Sequence, residues 1–361
     1  MLRKLIKTEI ASALHWVAVD DWIGTRRGLN NMPLVISYHR VVEDFHNSAI
    51  RSISPMLITV KTLERQLDWI GQRYDFISLD DLAGWSAGDV KFRRPVAAIT
   101  FDDGYSDVYE HGFPVLRRKG IPSAIFVVTD HVGNTHMQIH DELYLRICRA
   151  LSQWAAPERE FGHILQDLDI PSHKAVMMVK NVKDPFRFTR VCLEQLCQDD
   201  LRRIISGLCS VSVDIEDMSR EFYSVTWDML REMLRGDVTV GSHTRSHALL
   251  VNETGEKVFD EVYASRIAVE QMLGTPIKHF AYPDGRFNKD VIKAVRDAGY
   301  RCAYTTCLHR DKEHPQLTIP RKVLWENSSM DAFYRFSPAM MSCQVNGVFD
   351  LVRGCPQAHG V

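Results

Sequence analysis

Val96-Ala97-Ala98-Ile99-Thr100-Phe101-Asp102-Asp103-Gly104-Tyr105 is the stretch from which the fold is read. Its first six residues carry no charge, and a short apolar run bounded by a polar turn reads as a strand buried on both faces. Two adjacent carboxylates stand at its end. In a regular strand neighbouring side chains face opposite ways. Gly104 lets the backbone turn there, so both carboxylates can converge at the rim of a parallel sheet or barrel. Taken alone, the segment is equally well a solvated Asp-Asp-Gly turn.

Outward from this run the same pattern recurs at Leu34 to Tyr38, Ala124 to Val128, Val238 to Gly241 and His279 to Tyr282. Helical patterns alternate with them at Thr62 to Arg73, Tyr105 to Lys119, Thr226 to Arg235, Gly255 to Leu273 and Lys289 to Ala298. Strands alternating with helices imply an α/β chain with a parallel sheet or barrel. Gly120 and Gly299 sit just past helices and before the next strand, where a helix stop belongs. From about His131 to Tyr223 the rhythm breaks into a polar, helix-leaning stretch. The expected organisation is an N-terminal amphipathic helical segment over 1–32, a barrel over 33–335 with 131–223 as a helix-rich insertion placed to cap the site, and a C-terminal tail over 336–361.

The 361 residues carry 44 Lys plus Arg against 46 Asp plus Glu, a formal net charge of -2. With no long run of one sign, this weighs against a general nucleic-acid binder. Eight cysteines are spread singly with no Cys-x-x-Cys pair, and read as mostly reduced, buried thiols. The first residues are basic and apolar, but Glu9 and His15 interrupt them, Ile10 to Val19 is too short to span a bilayer, and no convincing cleavage site precedes Asp20. The reading is a retained amphipathic helix. Leu2, Leu5, Ile6, Ile10 and Leu14 recur at helical spacing beside Lys4 and Lys7, so the helix is expected to dock on the protein, with a membrane surface as the alternative. A cytoplasmic location, with peripheral membrane association as its variant, follows from this.

A second chemistry-bearing segment is Val240-Gly241-Ser242-His243-Thr244-Arg245-Ser246-His247. Two imidazoles at this spacing can share one metal ion, and Thr244 in place of Glu sets the segment apart from the helical His-Glu-x-x-His of zinc proteases. One carboxylate from the Asp102-Asp103 pair and two histidines would give three ligands and leave open positions, the layout of a catalytic metal site. The remaining aspartate is then free to act as base. Tyr282-Pro283-Asp284-Gly285 predicts only a loop by itself. His39 ends an early strand. A lone histidine is usually structural, yet imidazole suits a general acid at neutral pH.

These residues together resemble the polysaccharide deacetylases of carbohydrate esterase family 4, the group with the nodulation-type chitooligosaccharide deacetylase homology domain. Thr100-Phe101-Asp102-Asp103-Gly104-Tyr105 is similar to that family's first motif, His243-Thr244-Arg245-Ser246-His247 to its second, and Tyr282-Pro283-Asp284-Gly285 to its third. The resemblance implies a distorted parallel (β/α) barrel of about seven strands. It implies Asp102 as catalytic base and Asp103, His243 and His247 as ligands of a divalent metal, usually Zn2+. It also places Tyr105, through its main-chain N–H, and Tyr282, Pro283 and Asp284 around the substrate. Three departures stand out. Ala281 lies in the position region where many members carry a base-orienting Arg, no clear Leu-x-His appears near the C-terminus, and the insertion replaces a short connection. The early Ser37-Tyr38-His39 strand resembles the exopolysaccharide-associated branch, in which an N-terminal histidine serves as acid, so His39 becomes the expected acid.

The expectation is therefore a metal-dependent hydrolase removing N-acetyl groups from an amino sugar in a polysaccharide, oligosaccharide or lipid-linked saccharide, with no nucleic-acid partner and with oligomerisation open. The alternatives are a metal amidase acting on a non-sugar C–N bond and a carbohydrate-binding relic. An open groove with exposed Trp or Tyr would favour a glycan, whereas a closed pocket roofed by the insertion would favour a small substrate.

Overall fold

The apolar runs fold into short strands because most of them are buried on both faces, as the six residues of Val96–Phe101 are throughout. The computed structural model describes residues 2–27, 32–208 and 220–351. Among these the strands are β1 (Leu34–Tyr38), β2 (Arg40–Val42), β3 (Leu57–Thr59), β4 (Asp75–Phe76), β5 (Val96–Phe101), β6 (Ser123–Val127), β7 (Val238–Ser242), β8 (His279–Ala281), β9 (Cys302–Thr305), β10 (Ile319–Pro320) and β11 (Lys322–Val323). The main sheet runs in the order β10-β9-β8-β7-β6-β5-β1-β11 with every pairing parallel, β4 flanks β5, and β2 pairs with β3 apart from it. The two ends of that path, β10 and β11, are pieces of one segment separated only by Arg321. The sheet is thus a nearly closed parallel barrel of eight strands with helices around it, one more strand than the resemblance implied.

Register and pleat fix what points where. Tyr38 pairs with Phe101, so His39 and Asp102 emerge side by side just past the strand ends. Val35, Ala98, Ala124, Phe126 and Tyr304 share one buried cluster. Ile36, Ile99, Phe101, Ile125 and Val127 join the larger cluster shared with the surrounding helices. Ser37, Thr100 and Asp102 are in phase with the first set, so polar groups top an apolar stack at the end of the barrel where the strands finish.

Among the described residues, the stretch from β6 to residue 208 builds five helices, Ile139–Gln153, Pro157–Asp167, Ser172–Val179, Pro185–Gln195 and Gln198–Leu208, and a further helix, Trp227–Arg235, leads into β7. They bury a core of their own that includes Leu143, Ile147, Phe161, Phe188 and Leu201. Fully burying a large aliphatic or aromatic side chain contributes about 1.5–3 kcal/mol, so this helical unit is stiffened from within rather than draped as a loop.

The N-terminal helix Leu2–Trp16 does dock, though by a different face from the one its apolar spacing suggested. Ala11 is fully buried and Leu14 packs beside it against Met340, Cys343 and Val348. Leu2, Ile6 and Ile10 face outward at 71%, 50% and 52% exposure. Lys4 lies over the Tyr334 ring and Lys7 over that of Phe349. Residues 336–351 contain the helix Pro338–Val345, packed on the N-terminal helix through Met340 and Cys343, while Met341 and Val345 join the barrel's larger core. Cys148, Cys192, Cys197, Cys302, Cys307 and Cys343 are all free thiols, and Cys209 and Cys355 lie outside the described residues.

Candidate active site

The turn after β5 is made by consecutive left-handed residues, Asp103 at φ 72° and Gly104 at φ 73°. A non-glycine residue held there costs roughly 1–2 kcal/mol, and the effect is to swing Asp102 and Asp103 toward one point. His247 at φ 61° and Asp284 at φ 54° are held the same way. Unfavourable backbone of this kind persists only where surrounding structure over-determines it, and it clusters at functional sites. The loop after β7 is held by buried Glu261, whose carboxylate accepts the backbone N–H of Arg245 and Ser246 at 3.0 and 2.8 Å and the Ser246 hydroxyl at 2.6 Å.

Asp103, His243 and His247 each present one ligand atom, and these atoms lie within 4.8 Å of one another. His243 Nε2 is 3.4 Å and His247 Nε2 3.2 Å from Asp103 Oδ1. The His243 Nδ1–H donates to the carbonyl of Ala281 at 2.8 Å, which turns the Nε2 lone pair of a neutral ring toward the carboxylate. Lone pair against carboxylate is repulsive unless a positive charge lies between them. Both oxygens of Asp103 are buried without a hydrogen-bond partner, and a buried charge needs pairing or a metal. The donor set, two imidazoles and one carboxylate with open positions beyond, fits a divalent transition-metal ion.

Asp102 is held differently. Arg321 makes a two-pronged ion pair with it, Nη1 to Oδ1 at 2.7 Å and Nη2 to Oδ2 at 2.8 Å, and the Ser37 hydroxyl donates to Oδ2 at 2.9 Å. Arg321 Nη1 also donates to the Thr100 hydroxyl oxygen at 3.1 Å. Burial raises the Asp102 carboxyl, but Arg321, then His243 and His39, outweigh it and keep it below the ordinary range. The Arg absent near Ala281 thus has a counterpart at the seam between β10 and β11. Its sequence signal is a lone arginine between Ile319-Pro320 and Lys322-Val323, and nothing in that spacing marks a site.

His39 is half-buried and lines the same cavity, its Nδ1 without a hydrogen-bond partner. Asp284 lines it from the third motif, while Tyr282 reaches it only as a buried ring whose hydroxyl donates to the Leu317 carbonyl at 2.9 Å. Pro283 is buried in the turn that carries Asp284. The Tyr105 side chain points away into a buried network, its hydroxyl 2.8 Å from His140 Nε2 and donating to Asp141 Oδ2 at 2.5 Å. Burial and neighbouring His247 push the His140 imidazole down to about 3. Burial likewise pushes the Asp141 carboxyl up to about 7. His140 also lines the cavity, its ring 4.7 Å from that of His247. Nothing in the spacing of Gln138-Ile139-His140-Asp141 marks it.

A parallel barrel with an Asp-His-His cluster and a second, arginine-clamped aspartate at its strand ends has the make-up of a metal-assisted hydrolase. The polysaccharide deacetylase family model matches residues 89–303, and the chain belongs to that family. A poly-beta-1,6-N-acetyl-D-glucosamine N-deacetylase of Staphylococcus epidermidis is 30% identical over 115 residues, which cover 29% of this chain and 39% of that protein. The aligned stretch is therefore about two fifths of that relative. Among solved structures, the Streptococcus pyogenes deacetylase PplD in complex with acetate superposes with TM-score 0.53 at 15% identity over 86% of this chain and 96% of that one. IcaB from Ammonifex degensii gives TM-score 0.53 at 17% identity over 87% and 97%. These two likenesses bear on the fold.

Proposed function

We propose that the protein hydrolyses the N-acetyl group of an amino sugar, with Asp103, His243 and His247 holding a divalent metal ion, most simply Zn2+. The observation that carries this is the separation of the two adjacent aspartates into different roles. Asp103 has two orphaned oxygens beside two imidazoles. Asp102 is fixed by Arg321 and Ser37. When bound, a divalent cation supplies Lewis-acid polarisation of an acyl oxygen and lowers the pKa of a water toward about 7.

Three donors occupy three of the roughly four acceptor positions of the Asp102 carboxylate, leaving one for a water proton. In the proposed reaction water attacks the acetyl carbon and Asp102 takes its proton. His39 gives a proton to the nitrogen as the C–N bond breaks, leaving free amine and acetate. Tyr105, through its main-chain N–H, and the turn Tyr282 to Asp284 position the acyl group and sugar. A proton-transfer group of this kind contributes typically about 10²–10⁴-fold in rate.

The outward face of the N-terminal helix is part of the same proposal. Its exposed Leu2, Ile6 and Ile10, flanked by exposed Arg3 and Lys7, suit an anionic membrane surface, where saccharide carriers are lipid-linked. No helix of the described residues is long and apolar enough to cross a membrane.

The test is metal content measured beside acetate release from acetylated chitooligosaccharides, for wild type, Asp102→Asn and His243→Ala. Activity lost in both, with metal lost only from His243→Ala, supports the division of roles. Metal bound by a wild type that releases no acetate from any acetylated sugar moves the assignment to a non-sugar amide.

A further inference from the structure

The helical unit inserted between β6 and β7 forms a roof over the candidate active site. The helix Pro185–Gln195 places Phe186, Thr189, Arg190 and Leu193 in the lining of the cavity that holds Asp102, Asp103, His243 and His247. Its opposite side, Phe188 and Cys192, is locked into the core of the unit. The roof is also pinned to the floor. Asn252 Nδ2 donates to the carbonyls of Leu193 and Leu196 at 3.0 and 2.9 Å. Gln198 Nε2 donates to the Ser246 carbonyl at 2.6 Å and Gln138 Nε2 to the Asp103 carbonyl at 2.7 Å. Arg190 crosses to the third motif and pairs with Asp284 at 2.6 Å.

The cavity left beneath is about 270 Å³, slightly below the ~300–1,000 Å³ of pockets that bury drug-sized ligands. Its lining combines apolar Ile53, Met56 and Leu249 with polar Thr306 and the paired Arg190 and Asp284, a mixture suited to one pyranose ring with an apolar face and a hydroxyl rim. Among the described residues, the aromatic side chains in the lining besides histidine are Phe186 of the roof and fully buried Tyr282. The exposed Trp or Tyr platforms on which a long glycan would stack are not part of it.

Resting on the deacetylase reading, we infer that this chain deacetylates a single terminal amino-sugar unit, entering the pocket end-on, and does not work along the interior of a polymer. The roof helix sets this specificity. A polymer bound internally needs the site open on two sides of the reacting ring, and the Arg190 to Asp284 bridge with Phe186 and Leu193 closes one of them.

The experiment uses the metal-loaded full chain with fully acetylated chitopentaose, locating each new free amine by fragmentation mass spectrometry. Wild type is expected to release one acetate per chain, all from a terminal ring. Phe186→Ala combined with Arg190→Ala and Leu193→Ala is expected to raise the internal share by about tenfold, the scale of removing steric rejection. Internal and terminal rings deacetylated at equal rates by wild type would overturn the inference while leaving the deacetylase reading intact, and this outcome needs no variant to fold. If no acetate appears at all, the reading fails for this sugar. Saturation-transfer NMR of chitopentaose on Asp102→Asn then decides the pocket: contact confined to one end ring upholds the inference, and contact along all rings, or none, overturns it.

Discussion

Arg321 neutralises Asp102 inside the barrel, and each group is buried with the other as its chief compensation. Removing one partner of such a pair costs roughly 3–5 kcal/mol because the other charge is stranded. Arg321→Ala is therefore expected to lower stability by that amount and activity by about 10²-fold or more, whereas Arg321→Lys, which cannot span both oxygens, keeps the charge but not the orientation. Urea unfolding beside kcat separates the two effects: Lys should recover most of the stability and little of the rate. Asp141 gives a pH signature of its own. Its folded-state carboxyl is raised to about 7 by burial, so the native state holds a proton that the unfolded chain releases near pH 4. Stability from this group is thus complete at low pH and is lost as pH rises toward about 7, up to roughly 4 kcal/mol at 1.36 kcal/mol per unit. Chelator-treated Asp141→Asn should lack that slope, so its urea midpoint relative to wild type must climb between about pH 4.5 and 7.5. A constant difference would mean that Asp141 titrates normally.

At the scale of elements, Asn252 is the joint between the roof helix and the loop that follows the second motif. Asn252→Ala leaves carbonyls at the C-terminal end of that helix without their donor, at a cost of about 1–3 kcal/mol. The expected outcome is faster amide exchange across residues 185–208 and a raised KM, with metal content unchanged. Exchange that stays at the wild-type rate would show that the roof does not depend on the Asn252 joint. The same elements show what a single sequence yields. Asp102, Asp103, His243 and His247 were legible because each stands within a few residues of a buried apolar run, and the parallel alternation brings such ends together. Arg321 was not, being 219 residues from Asp102 and set between strands of two residues each, too short to leave a periodic signal. The insertion was visible as a break in rhythm. That Phe186 and Leu193 face the site while Phe188 and Cys192 face the core is a matter of helix rotation fixed by tertiary packing. The apolar stripe of the N-terminal helix was visible too, but periodicity does not say which side a helix buries when small Ala11 allows the closer approach.

For the whole molecule, the N-terminal helix Leu2–Trp16 exposes Leu2, Ile6 and Ile10 along one side at i, i+4 spacing, and its end and the residues after it expose Trp16, Val17 and Trp22. Single exposed apolar residues are ordinary, but a contiguous patch marks an interaction surface. The charges around it favour one occupant. Arg3, Lys4, Lys7, Arg26 and Arg27 outnumber Glu9, Asp20 and Asp21. Of these acids, Asp20 is buried against His15 and Asp21 accepts a bond from Asn346. Basic residues near an anionic bilayer contribute about 1 kcal/mol each, and apolar side chains entering the interface add to that. The protein is expected to sediment with vesicles containing phosphatidylglycerol, to bind weakly to neutral phosphatidylcholine, and to be released as salt shortens the Debye length from about 10 Å at 0.1 M toward 3 Å at 1 M. Leu2→Ser with Ile6→Ser and Ile10→Ser should abolish sedimentation while acetate release from a water-soluble oligosaccharide is preserved, since these side chains lie outside the helix's packed side. If wild type instead stays in the supernatant and light scattering shows a dimer that the triple substitution splits, the patch joins two copies of the chain, and the membrane assignment falls.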